Sequence, residues 1–82
     1  MEKVTDKMDA RFERLALKKI KYDMKALFLT LEEDAESILS ITDPIEIEPN
    51  VYKSDVHFEE FNGDTYEVYF VYNIVTKEGV IE

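Results

Sequence analysis

Few side chains in this sequence have the types and spacing that catalysis or metal binding needs. Asp55, His57 and Glu59 alternate along a segment with strand character, so their side chains point the same way. Together they could offer nitrogen and oxygen ligands to a divalent cation. Their spacing is loose and no neighbouring residue completes a ligand set, so we interpret them as a polar strand surface and predict no metal site.

Motifs that mark catalytic or cofactor sites are also missing. The chain has no cysteine and a single histidine, which excludes a thiol nucleophile, a disulfide framework and the common His/Cys zinc clusters. It contains neither a glycine-rich phosphate loop nor a nucleophile elbow. We therefore expect no catalytic residue and no cofactor, and we predict that the protein is not an enzyme.

The first 31 residues show clearer signs of a protein–protein contact surface than of a catalytic site. At the angular spacing of a helix, Val4, Met8, Phe12 and Leu15 form one apolar stripe, which Tyr22 and Ala26 continue. A second apolar stripe begins later and consists of Leu17, Ile20, Met24, Leu27 and Leu31. One sheet face covers only one stripe well, so we predict that Val4, Met8, Phe12 and Leu15 contact a second copy or another protein. The alternative is that a second helix folds back over them.

A basic stripe lies between the two apolar ones. Its members are Lys3, Lys7, Arg11, Arg14, Lys18, Lys21 and Lys25. The last five are a candidate electrostatic contact for phosphates or an acidic protein, and the alternative is a solvated face neutralised by flanking acids. No aromatic stacking platform or DNA-binding motif accompanies the stripe. We therefore rank a nucleic-acid-binding regulator below a protein-interaction domain and keep it as the alternative function.

Charge is divided unevenly along the chain. The net charge is −9, with +3 in residues 1–29 and −12 in residues 30–82. An acidic protein is a poor ligand for free DNA or for an anionic membrane. The acidic half could instead occupy a basic groove on another protein, as small acidic inhibitors and some antitoxins do.

A helical first half must position these surfaces. The first 43 residues contain no glycine or proline, and they predict a helix over residues 5–29. Thr30 then resembles an N-cap and Glu33 completes a capping box, which predicts a second helix over residues 31–40. A continuous helix over residues 5–40 competes with this interpretation.

The second half predicts antiparallel strands. Residues 45–48 suit a short edge strand, residues 51–61 and 65–75 suit two long strands, and residues 80–81 suit a short last strand. A three-residue loop at 62–64 would place Phe58 opposite Val68 and Val56 opposite Phe70. Gly79 suits a left-handed position in the turn before the last strand.

Together these elements predict one α+β domain over residues 1–82, helical in 1–43 and sheet in 44–82. We expect one or two N-terminal helices on a three- to four-stranded antiparallel sheet that forms a C-terminal meander. Without a signal peptide or an apolar span, we expect a cytoplasmic protein. The predicted function is a non-catalytic protein–protein interaction domain, either a homo-oligomer, most simply a dimer, or an inhibitor or antitoxin-like partner.

Overall fold

A computed structural model describes the backbone of residues 2–82 and the side chains of residues 15–82. It contains one helix followed by five strands: α1 (Glu2–Leu31), β1 (Ala35–Ile41), β2 (Ile45–Glu48), β3 (Val51–Glu60), β4 (Thr65–Asn73) and β5 (Gly79–Ile81). The predicted α+β class, with an N-terminal helix on an antiparallel sheet, is confirmed.

All five strands belong to one antiparallel sheet. Its order is β1, β3, β4, β5, and β2 also pairs with β3. β1 pairs with residues 56–60 of β3 and β2 pairs with residues 51–53, so these two short strands lie end to end along the same side of β3. The sheet therefore has one strand more than the predicted maximum of four.

The additional strand is β1, and it replaces the predicted second helix. The helical part of the chain ends at Leu31, not near residue 43, and both the helix over 31–40 and the continuous helix over 5–40 are wrong. Thr30 is not an N-cap, because its hydroxyl donates to the carbonyl oxygen of Ala26 at 3.0 Å within the last turn of α1. Glu32, Glu33 and Asp34 follow the negative end of the helix dipole, where acids disfavour further helix.

Two bulges in β1 explain why its sequence resembles a helix. Ala35, Ile38 and Ile41 pair with Glu60, Phe58 and Val56, and each bulge inserts one extra residue between successive pairs. The strand therefore turns every third residue inward instead of every second. A spacing of three residues is also what one face of a helix shows.

The β3–β4 hairpin has the predicted inward face in a different register. Phe58 pairs with Tyr66 and Val56 pairs with Val68, which is two residues away from the predicted pairing. Because side chains alternate with a period of two, this shift leaves the same residues on the inner face. Gly63 has a φ of 92° in the loop, the left-handed conformation for which glycine is favoured.

The core lies between the second half of α1 and the inner sheet face. Met24 and Phe28 are fully buried. The Phe28 ring meets the rings of Phe58 and Phe70 edge-on, at centroid distances of 5.1 and 5.6 Å. Ser54 is buried among them, and its hydroxyl lies 3.8 Å from the sulfur of Met24.

The helix is much longer than the core that it covers. Thirty residues of α-helix span about 45 Å, yet the described helix residues that pack against the core begin at Ile20. The radius of gyration is 14.8 Å, against about 12 Å for a compact chain of this length. The first part of α1 therefore extends past the sheet.

Candidate interaction surface

The side of α1 that faces away from the sheet carries a row of apolar side chains. We call Leu15, Tyr22, Ala26 and Leu29 the outer stripe. Leu15, Tyr22 and Leu29 are 55%, 72% and 41% exposed, and Ala26 is exposed as well. At 100° per residue, the outer stripe lies roughly 170° around the helix from the residues that enter the core. Single exposed apolar residues are ordinary, whereas several on one side of a helix, here interrupted by exposed Lys19, are typical of a contact surface.

Leu15 is the one residue of the predicted apolar contact whose side chain is described, and it belongs to the outer stripe. Five further predicted contact positions on α1 lie outside the described side chains: Val4, Met8, Phe12, Arg11 and Arg14. Sequence reasoning missed Leu29, although it follows Leu15 and Tyr22 at the same seven-residue spacing. That spacing was the signal that could have found it.

The basic stripe is only partly free within the described part of the chain. Lys18 and Lys25 are exposed. Lys21 is half-buried, and its Nζ donates to Asp43 Oδ1 at 3.1 Å. This ion pair joins α1 to the turn between β1 and β2, so Lys21 has a structural partner within the chain.

A groove opens where α1 leaves the sheet. It has a volume of about 370 Å³ and lies between helix residues Ala16, Leu17 and Ile20 on one side and three sheet residues on the other. These are Pro44, which precedes β2, Glu46 in β2 and Tyr52 in β3. Burial, and then the negative charge of Glu46, raises the pKa of Tyr52. A phenol held in its neutral form beside one carboxylate provides neither a nucleophile nor a matched acid–base pair.

An acidic cluster forms where β1 begins beside the end of β3. Carboxylate oxygens of Glu32, Asp34 and Glu60 lie within 4.8 Å of one another. Partial burial, and then the charges of Asp34, Glu32 and Asp64, raise the pKa of Glu60. With one oxygen from each carboxylate, the cluster would supply three of the roughly six to eight oxygen ligands that calcium takes. The cluster was not predicted from the sequence, because residues 31–40 were expected to be helical.

Replacing Glu60 tests the electrostatic strain in this cluster. A raised pKa in the fold means that ionised Glu60 destabilises the folded state, and this effect appears as pH rises from the unfolded-state pKa through the raised pKa. We expect Glu60→Gln to raise the Tm at pH 7 and to change it less at about pH 3, where the group is protonated in both states. Circular dichroism melts at both pH values measure this. Glu67→Gln, at an exposed carboxylate of β4, is the control. If Glu60→Gln shifted the Tm equally at both pH values, the prediction would be contradicted.

The outer face of the sheet is a second, more mixed surface. Exposed Ile45 and Val80 lie there, and Asp55, His57 and Glu59 lie further along the same face. Lys53 occupies its middle, with Nζ 4.3 Å from the centre of the Tyr69 ring and 3.8 Å from a carboxylate oxygen of Glu82. A charged side chain that already covers the central aromatic ring makes this face a poorer contact surface than the outer stripe.

Comparison with known proteins adds no family and no structural relative. No protein-family model, no curated protein and no solved structure matches the chain. Within residues 2–82, no helix is both long enough and apolar enough to cross a membrane. The chemistry of the described residues is therefore the basis for any functional proposal.

Proposed function

We propose that this protein is a non-catalytic protein–protein interaction domain that binds through the outer side of α1. The observation that carries the proposal is the exposed outer stripe, which lies opposite the residues that the sheet already covers. Burying side chains such as Leu15 and Tyr22 is worth about 25 cal/mol per Å² of apolar surface. An amphipathic helix with an uncovered apolar side is a common recognition element, which lies in a groove or against another helix.

Charge supports the same proposal. Lys18 and Lys25 border the outer stripe, whereas the region after residue 30 is strongly acidic. Charges at the rim of a contact mainly speed and orient encounter, while the apolar centre holds the complex. The basic rim therefore suits carboxylates on a partner surface, which a second copy or a different protein could provide.

The alternative is a nucleic-acid-binding regulator that uses the basic stripe. One of the three described lysines of that stripe, Lys21, is bonded to Asp43, which leaves fewer cations for phosphates. The net charge of −9 also opposes approach to a polyanion. These two facts favour the protein–protein proposal over this alternative.

Replacing Tyr22 with aspartate tests the proposed surface. Tyr22 is exposed in the isolated chain, so Tyr22→Asp should leave the fold intact, apart from the small cost of the lower helix propensity of aspartate. We expect this variant to lose self-association, measured by light scattering, and to lose capture of any partner that the immobilised wild-type chain retains from its native host. A captured partner is then purified and its Kd measured against both chains.

Ile45→Asp is the matched control, because it adds the same charge at an exposed aliphatic residue on the sheet. We expect this control to bind like wild type. A wild-type chain that stays monomeric at about 100 µM and captures nothing beyond what Tyr22→Asp captures would remove the proposal. So would loss of binding in Ile45→Asp but not in Tyr22→Asp, since that result would place the contact on the outer sheet face.

A further inference from the structure

The outer stripe has the spacing of a coiled-coil seam. Leu15, Tyr22 and Leu29 recur every seven residues, and Lys19 and Ala26 each follow a member of that series by four. These are the d and a positions of a heptad repeat. In the sequence, the same spacing continues upstream of Leu15 to Met8, with Phe12 at the intervening a position.

From this spacing and the charges beside it, we infer that a second copy of the chain packs along the outer stripe as a parallel, two-stranded coiled coil. The inference rests on the proposed function and names the partner of that surface. Both sheets would lie at the same end of the dimer, on the outsides of the paired helices. Most of each sheet packs on the side of α1 opposite the seam, while Tyr72 and the turn that holds Lys77 approach the flank of Asp23 and Ala26. The second helix therefore approaches from the side of Leu15, Tyr22 and Leu29, which is exposed.

The charges beside the seam select the parallel orientation. Lys18 and Lys25 occupy g positions, and Asp23 occupies an e position on the other flank. In a parallel pair, a g residue faces the e residue of the following heptad of its partner, so Lys18 meets Asp23 of the second copy. An antiparallel pair centred on Tyr22 would instead place Lys18 beside Lys25 of the second copy and the two Asp23 carboxylates beside each other. Opposite charges attract in the first arrangement and like charges repel in the second.

Lys19 at a central a position limits the number of strands. A single polar residue at such a position specifies oligomeric state and register at a cost in stability. In a two-stranded coil, the aliphatic stem of lysine lies along the seam while its ammonium group reaches water. A trimer would enclose three ammonium groups more deeply. The seam therefore favours a dimer of modest affinity with one fixed register.

Disulfide cross-linking tests the orientation directly, because the natural chain contains no cysteine. Leu15→Cys and Leu29→Cys are prepared separately, oxidised under native conditions alone and as an equal mixture, and analysed by mass spectrometry. In a parallel dimer, identical d positions face each other, so each variant forms a disulfide with itself and the mixture yields no bond between position 15 and position 29. An antiparallel dimer gives the reverse pattern and would overturn the inference.

Val80→Cys, at an exposed residue of β5, measures cross-linking by random collision. We expect each d-position variant to cross-link on the order of 100-fold faster than this control at about 10 µM protein, because pairing raises the effective thiol concentration to about the millimolar range. Light scattering of the wild-type chain should give twice its 9.7 kDa mass. Cross-linking no faster than the control, with a monomeric mass, would overturn the dimer. The proposed function would survive that result if a different protein binds wild type but not Tyr22→Asp.

Discussion

Truncating Phe28 to alanine is expected to lower the free energy of unfolding by about 3–5 kcal/mol, the usual cost of removing a buried aromatic side chain. Phe28 is fully buried, and its ring contacts Phe58 and Phe70 edge-on. A chain of this length has a total stability of roughly 4–12 kcal/mol. If the wild-type stability lies at the lower end of this second range, Phe28→Ala should be largely unfolded. Urea denaturation followed by circular dichroism measures both proteins.

Two further variants separate this effect from a general cost of losing a phenyl ring. Phe61 is 70% exposed, so Phe61→Ala should cost less than about 0.5 kcal/mol. Phe28→Leu keeps most of the buried volume and loses the edge-on ring contacts, each worth about 0.5–1.5 kcal/mol. It should fold and lie between wild type and Phe28→Ala. Equal stabilities of Phe28→Ala and Phe61→Ala would show that the packing of α1 on the sheet does not depend on the Phe28 ring.

The β3–β4 hairpin shows which part of a sheet can be predicted from alternation. Alternation identified the inner face correctly, since every second residue from Tyr66 to Tyr72 is apolar. It could not fix the register, because sliding the pair by two residues leaves the same side chains inside. The observed register depends on the turn, in which the amide of Glu60 donates to the Asp64 carbonyl at 2.8 Å and Gly63 is left-handed.

Alternation could not predict the β1 strand, because its two bulges turn every third side chain inward instead of every second. Ala35, Ile38 and Ile41 then match a helical face as well as they match a strand. What selects the strand over the helix is pairing with the side of β3 that β4 leaves open, and β3 is distant in sequence. The same error hid the acidic cluster, since Glu60 meets Glu32 and Asp34 only when residues 35–41 pair with β3.

The outer stripe was partly visible in the sequence, because helical periodicity places Leu15, Tyr22 and Ala26 together. Periodicity alone does not say which of two apolar stripes a sheet will cover. The position of Phe28 answers that question, since its ring enters the core between Phe58 and Phe70. Phe28 belonged to neither predicted stripe, yet it orients the helix and leaves Leu15 and Tyr22 exposed.

Gly79 was predicted for the wrong physical reason. The left-handed residue in the turn before β5 is Lys77, with a φ of 64°. Gly79 instead begins β5, where the helix and sheet approach closely. A Cβ atom at this position would lie 2.5 Å from Phe70 Cζ and 2.9 Å from Leu27 Cδ2. The absence of a side chain at residue 79 is what allows both groups to occupy their places.

Gly79→Ala is therefore expected to destabilise the protein by about 1–3 kcal/mol, the usual cost of overpacking a core. Without the contact, alanine would stabilise a strand by about 0.5–1 kcal/mol relative to glycine, so the sign of the change identifies the cause. The ring of Phe70 cannot move aside easily, because it is fully buried against Phe28.

A double-mutant cycle with Phe70→Leu tests this cause, since leucine lacks the ring atoms nearest to the new methyl group. If the collision explains the loss, Gly79→Ala should cost at least about 1 kcal/mol less in the Phe70→Leu background than in wild type, because residues in contact are not additive. Urea denaturation of the four proteins measures the coupling. Additive costs, or a stabilised Gly79→Ala single variant, would mean that the close approach of β5 to Phe70 does not govern residue 79.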